Sequence, residues 1–298
     1  MRPTRSLDNV YWKLRRWRRY AALQAGFTLA EAVIVIVILG IISAAVAVFI
    51  RGPIDAYFDV SRRAQLSDAA DTALRRITRD LQRALPNSLR ITGGCTGTVP
   101  CYLEYVPIVA GGRYRAAPDA SGGGDPLDFT DNSDTSFHLI GPDMTLPAAT
   151  PLWLVVYNLG IPGADVYSGQ SAASDVRRAY SGAGGRVSVI SFASANALPF
   201  ESPARRFHIV STPVTYACTP APTAGALTRH SDYGFSATQP VPPGGSASLL
   251  VGEVTSCNFT YSTLEVARSA GLVSLSLQIT SDGETLGLFH QVHVSNVP

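Results

Sequence analysis

Few groupings of residues in this sequence could do chemistry. The most pointed is one carboxylate, Glu31, the sole charge in the run from Phe27 to Ile50. At the centre of a membrane-spanning helix a carboxylate costs roughly 2.5–3.5 kcal/mol on insertion scales, and somewhat less near an end. Such a group either snorkels to the headgroups or awaits a cationic partner. Four cysteines, Cys95, Cys101, Cys218 and Cys257, could pair or hold a metal, but their spacings do not suit a compact zinc motif. The five histidines are scattered, and His138 and His208 lie on strand-like segments that suggest structural roles. His290 and His293, three apart on an expected strand, point to opposite faces and are poorly placed to share a metal. Asp128, Asp131 and Asp134 with Asn132 make an acidic loop of the kind calcium favours, without the EF-hand spacing, glycine or distal glutamate. There is no Gly-x-Ser-x-Gly elbow and no P-loop, and the only lysine is Lys13. These residues predict no enzyme, no cofactor and no metal site.

The element that carries Glu31 is long and apolar. From Phe27 to Ile50 a helix would span about 36 Å at its usual rise, against a hydrocarbon core of about 30 Å. Its Val and Ile residues favour strands in water, but a lone segment in lipid must satisfy its own backbone and so becomes a helix. Arg2, Arg5, Lys13, Arg15, Arg16, Arg18 and Arg19 precede it, against a single acid, Asp8. By the positive-inside rule that end stays cytoplasmic and the chain after Ile50 crosses the membrane. A secretory signal is the competing reading, since Ala45-Val46-Ala47 offers a small-x-small cleavage site. The apolar run is longer than the 7–15 residues a signal h-region needs, and its head carries a glutamate.

Gly26-Phe27-Thr28-Leu29-Ala30-Glu31 followed by this apolar helix resembles the processing site of type IV prepilins and type II secretion pseudopilins. The resemblance implies cleavage between Gly26 and Phe27 by a prepilin peptidase, N-methylation of Phe27, and Glu31 as the fifth mature residue. In that family the glutamate pairs with the N-terminal amine of a neighbouring subunit, because two charges too costly to bury singly can be buried together. Leu29, Gly40 and Ile50 would lie along the spanning helix, with Gly40 where the family commonly has a glycine. The family's helix-kinking proline has no counterpart at Val48, and Gly52-Pro53 lies a turn later. The implied fold is α+β and pilin-like: a long N-terminal helix, membrane-spanning in its first half, packed on a largely antiparallel β-sheet domain. The implied organisation is a cleaved basic leader (1–26), a transmembrane and assembly helix (27–52), its amphipathic continuation (53–88) and a periplasmic β-rich domain (89–298). Implied partners are other pilins and minor pilins, the peptidase/methyltransferase, the inner-membrane assembly platform and inner-membrane lipid.

Charge and cysteine usage agree with that compartment. The chain's 24 basic and 22 acidic residues leave a formal charge of +2. With the seven cations and one acid of residues 1–26 removed, 17 basic and 21 acidic residues remain, a net of −4. A mildly acidic mature chain argues against nucleic acid as a partner. All four cysteines follow the spanning segment, in what should be the oxidising periplasm. Of the three possible connectivities, one close pair and one distant pair favour Cys95–Cys101 and Cys218–Cys257.

Beyond Gly52-Pro53, the residues Ala70, Leu74, Ile77, Leu81 and Leu85 recur at three- and four-residue steps and predict an amphipathic helix over about 54–85. Arg75, Arg76, Arg79 and Arg83, interleaved with Asp68, Asp71 and Asp80, read as its solvated face, with Asp71–Arg75 an i,i+4 pair. Strands are expected at 102–109, 152–157, 186–192, 206–210, 256–261, 271–279 and 286–294, the last two joined by a turn at Ser281-Asp282-Gly283-Glu284. Gly- and Pro-rich stretches at 118–126 and 240–246 read as loops. Three further segments, 109–115, 155–165 and 216–218, look like the O-type minor pilins of the mannose-sensitive haemagglutinin (MSHA) pilus system. That finer resemblance implies a minor pilin that helps start or cap a filament. A J-type secretion pseudopilin and a pilus-tip adhesin are the alternatives.

Overall fold

The apolar run and the amphipathic run form one helix, α1 (Leu29–Leu81), in the computed structural model. The structure describes residues 26–148, 151–168, 175–193, 196–263 and 270–298. The expected leader, apart from Gly26, lies outside the described residues. The chain divides into two units, Met1–Asp59 and Val60–Pro298. In the first unit every described residue is exposed. Pro53 sits inside α1 without ending it, although it removes one backbone donor from the helical ladder.

In the second unit α1 turns one face inward. Ala70, Ala73, Leu74, Ile77 and Leu81 are buried, the stripe that the periodicity predicts with Ala73 added. They pack into a core shared with two antiparallel sheets. The first sheet contains β1 (Arg90–Gly93), β2 (Cys101–Tyr105), β11 (Val214–Thr219), β12 (Ala226–Ser231) and β13 (Ser246–Gly252), side by side in that order. The second is a meander of β14 (Val254–Thr263), β15 (Ala270–Ser281) and β16 (Glu284–Ser295). Along β15, Val273, Leu275, Leu277 and Ile279 point into this core while their neighbours do not, as period-two alternation requires.

A six-stranded antiparallel sheet builds a second core. Its members are β3 (Ile108–Tyr114), β4 (Ser136–Ile140), β6 (Trp153–Val155), β7 (Arg177–Ala179), β9 (Val189–Ser191) and β10 (Arg206–Val210), ordered β7-β6-β10-β3-β4-β9. Phe137 is at its centre, edge-on to Phe207 with ring centroids 5.1 Å apart. A two-stranded ribbon pairs β5 (Met144–Leu146) with β8 (Gly185–Val187). The fold is therefore α+β, a long apolar N-terminal helix with antiparallel sheets.

Three boundaries differ from the sequence expectation, each for a tertiary reason. The helix ends at Leu81, because the Leu85 N–H donates to Val106 O at 2.8 Å instead of continuing the helix. The run 102–109 is two strands in different sheets, broken at Pro107, which lacks a ladder donor. The Ile108 N–H instead reaches Arg83 O at 2.9 Å. The run 186–192 likewise divides at Ser188 into β8 and β9, which pair with different partners.

Candidate assembly surface and processing motif

At the start of α1 the chain forms an N-cap. The Glu31 N–H donates to Thr28 Oγ1 at 3.2 Å, and the Ala32 N–H donates to Thr28 O at 3.1 Å. Thr28 is thus the cap and Glu31 the third helical residue, the spacing of a capping box. A carboxylate in the first turn also faces the positive end of the helix dipole. Ahead of the cap, Gly26 and Phe27 lie outside the helix, and Phe27 is 78% exposed. A peptidase acting between them would meet an accessible bond.

The helix that follows presents apolar surface that nothing among the described residues covers over 29–50. No part of its most apolar window is buried, and Leu29 is 85% exposed. Gly40 has no neighbour within 4 Å of where a Cβ would stand, and Ile50 is exposed. Phe27, Leu29, Glu31, Gly40 and Ile50 thus share one exposed segment, long and apolar enough to cross a membrane. Such a surface has to be covered by lipid or by other helices.

The second unit is held together by devices the sequence showed only in part. The expected Asp71–Arg75 pair is present, Arg75 Nε to Asp71 Oδ2 at 2.5 Å. Asp80 departs from the solvated-face expectation. Its Oδ2 accepts from the Tyr105 and Tyr216 hydroxyls at 3.1 and 2.5 Å, and Arg229 Nε lies at 3.5 Å. Burial, then the charge of Asp80, pushes the Tyr105 hydroxyl well above its ordinary pKa, so the phenol remains a donor. Glu104, 1% exposed, accepts from Arg90 Nε and from the Tyr233 hydroxyl, the latter at 2.9 Å. Arg90 also lies over the Tyr167 ring, 3.6 Å from its centroid. A search by local spacing misses these contacts, because Asp80 and Tyr216 are 136 residues apart and Glu104 and Tyr233 are 129 apart.

Disulfides join Cys95 to Cys101 and Cys218 to Cys257. The second ties β11 to β14 and so links the two sheets around α1. The other chemistry-bearing residues stay apart. His208 is part-buried on β10, and burial followed by the charge of Arg206 pushes its pKa down to about 4. His138 Nδ1 accepts from the Asp125 N–H at 3.0 Å. On β16, His290 is half-buried and His293 exposed, on opposite faces. In the acidic loop, Asp128 Oδ1 accepts from the Thr130 N–H and hydroxyl, both at 2.7 Å, and Asp131 Oδ1 does the same for Ser133. Asp134 Oδ2 accepts from the Asp128 N–H at 2.7 Å, and Asn132 Oδ1 accepts from the Ala197 N–H at 2.9 Å. These bonds hold the Asp128 and Asp131 carboxyls below the usual carboxylate range. Among the described residues, no three His, Cys, Asp or Glu side chains are grouped to hold a metal ion.

Residues 22–47 match the model of the prokaryotic N-terminal methylation motif. The match spans the Gly26–Phe27 bond, the Thr28 cap, Glu31 and most of the apolar run. It supports a protein of the type IV prepilin and pseudopilin class, a structural subunit that associates with other pilins and with the assembly machinery. No curated protein and no solved structure matches the chain. The apolar helix and the motif together fit a subunit anchored in the bacterial inner membrane.

Proposed function

We propose that this chain is a minor pilin, made as an inner-membrane precursor with its N-terminus in the cytoplasm and its β-rich domain in the periplasm. Prepilin peptidase cuts it after Gly26, Phe27 is N-methylated, and the subunit enters a type IV pilus of the MSHA kind, where it aids initiation or forms part of the tip. The observation that carries the reading is the coincidence of the methylation motif with the entirely exposed apolar segment 29–50 of α1, whose one carboxylate, Glu31, stands in the first turn. A filament explains both features. Neighbouring helices cover the apolar surface, and the amine of a neighbouring mature N-terminus neutralises Glu31. The finer MSHA assignment rests on the resemblance of segments 109–115, 155–165 and 216–218.

The test is the mass and N-terminal sequence of the mature protein taken from membranes. A start at methylated Phe27 is expected. A start at Val48, after Ala47, would make the protein a secreted soluble one and remove any role for Glu31.

A further inference from the structure

The meander β14-β15-β16 has one protected edge and one open edge. On the β14 side, Cys257 N–H bonds Gly97 O and Val254 N–H bonds Gly225 O. On the β16 side nothing comparable is found among the described residues. Ser281 and Glu284 flank a two-residue turn, Asp282-Gly283, whose φ angles are both positive, 47° and 82°. In such a hairpin the flanking residues form a hydrogen-bonded pair, and bonded and non-bonded pairs alternate from there. The β15–β16 register runs unbroken to Ala270↔Ser295. Even-numbered residues of β16 therefore bond β15. Thr285, Gly287, Phe289, Gln291, His293 and Ser295 direct their N–H and C=O groups away from it. Among the described residues, no backbone–backbone hydrogen bond outside the sheet ladder reaches these groups.

The composition of this edge is unusual for one that faces water. Open edges are normally kept short or guarded by charge or proline. The edge strands β1, β7 and β9, for example, have four, three and three residues. By contrast, β16 has twelve residues, and from Thr285 to Ser295 it contains no Lys, Arg, Asp, Glu or Pro. Phe289 stands on its outer face, 60% exposed. A second edge shares these properties. β13 bonds only β12, carries no charge over its seven residues and exposes four consecutive residues, Ser246 to Leu249, with Leu249 at 66%.

We propose that these two edges are the halves of one contact, in which β16 of one copy takes β13 of a second copy as an added strand. The open ladder asks for an extended backbone, and the lack of charge on both edges asks for an uncharged one. The contact is heterologous, so it joins two copies head to tail. Antiparallel β16–β16 pairing would instead place a two-fold axis normal to the sheet and reverse helix residues 60–81 between the copies. Subunits anchored in one membrane run those helices the same way. This last choice rests on the membrane-subunit reading above, whereas the open edge does not.

The test uses two full-length, differently tagged chains expressed together in membranes, one carrying Phe289→Cys and the other Leu249→Cys, then oxidised. The four native cysteines are bonded, so only the introduced thiols are free. Gln291→Cys with Ala247→Cys serves as a second pair, two residues along in the same antiparallel register. A mixed cross-link in either pair is expected. It should be lost when Gly287→Lys is added to the first chain, a change with open space around the new Cβ. Cross-links only between copies of the β16 variant, only to another protein, or in neither pair would overturn the proposal. The mature N-terminus is read separately, so the membrane-subunit reading can fail without disturbing this measurement.

Discussion

At the residue scale the chain carries one carboxylate on an exposed apolar segment and several within the folded domain, and their partners differ. Among the described residues Glu31 meets only the first helical turn, and in the proposed filament the neutralising charge is the N-terminal amine of a neighbouring subunit. We expect Glu31→Ala to be cut normally yet incorporated poorly, measured as mature protein in membranes against protein in sheared filaments. Normal incorporation would remove the charge-pair mechanism. Asp80 is satisfied within the chain, by the Tyr105 and Tyr216 hydroxyls. Asp80→Ala leaves two buried hydroxyls without that acceptor and should destabilise the domain by about 1–3 kcal/mol, read from urea denaturation of the full chain in detergent. Glu104→Ala removes the acceptor of the Arg90 Nε–H and of the Tyr233 hydroxyl, while Arg90 keeps its bonds to the Ser236 and Ala237 carbonyls, and should likewise cost about 1–3 kcal/mol. His208 has a folded pKa of about 4 against an ordinary 6.5, so the unfolded chain binds the extra proton first. Its contribution to stability is present above pH 6.5 and is lost as pH falls from 6.5 towards 4. Replacing His208 with Gln should flatten the pH dependence of Tm across that window.

At the scale of elements, α1 is stabilised in two ways. Residues 70–81 owe their helix to an apolar stripe buried against two sheets. Residues 29–50 bury nothing against the other described residues, and in lipid the helix is the only way a lone segment satisfies its backbone. The sheets around the buried part are linked by Cys218–Cys257, which closes a separation of 39 residues, while Cys95–Cys101 closes only 6. By loop entropy the long link contributes about 4 kcal/mol and the short one about 2. Changing Cys218 and Cys257 together to Ser should therefore lower Tm well beyond the effect of the Cys95/Cys101 double change. Equal effects would show that the short bond has a role beyond loop closure.

At the scale of the molecule, the sequence by itself determined the parts whose causes are local. The Phe27–Ile50 run, the Glu31 position, the Ala70–Leu81 stripe, the Asp71–Arg75 pair and the β15–β16 hairpin each follow from a period, a spacing or a turn within a few residues. The strand at 206–210 was legible for the same reason. Strands β1, β7, β12 and β13 were not, because their residues are short, polar or charged runs that become strands only when a neighbour supplies the ladder. Arg177 and Arg178 on β7 are both buried, their guanidinium groups donating to the backbone carbonyls of Val166, Ser168, Asn196 and Ala197. No spacing rule anticipates that. The end of α1 at Leu81, the break at Pro107 and the capture of Asp80 by two tyrosines were likewise decided only in the tertiary structure. Each is a competition between a local hydrogen bond and one supplied by residues distant in the chain. The outcome depends on which partner packing brings within about 3 Å.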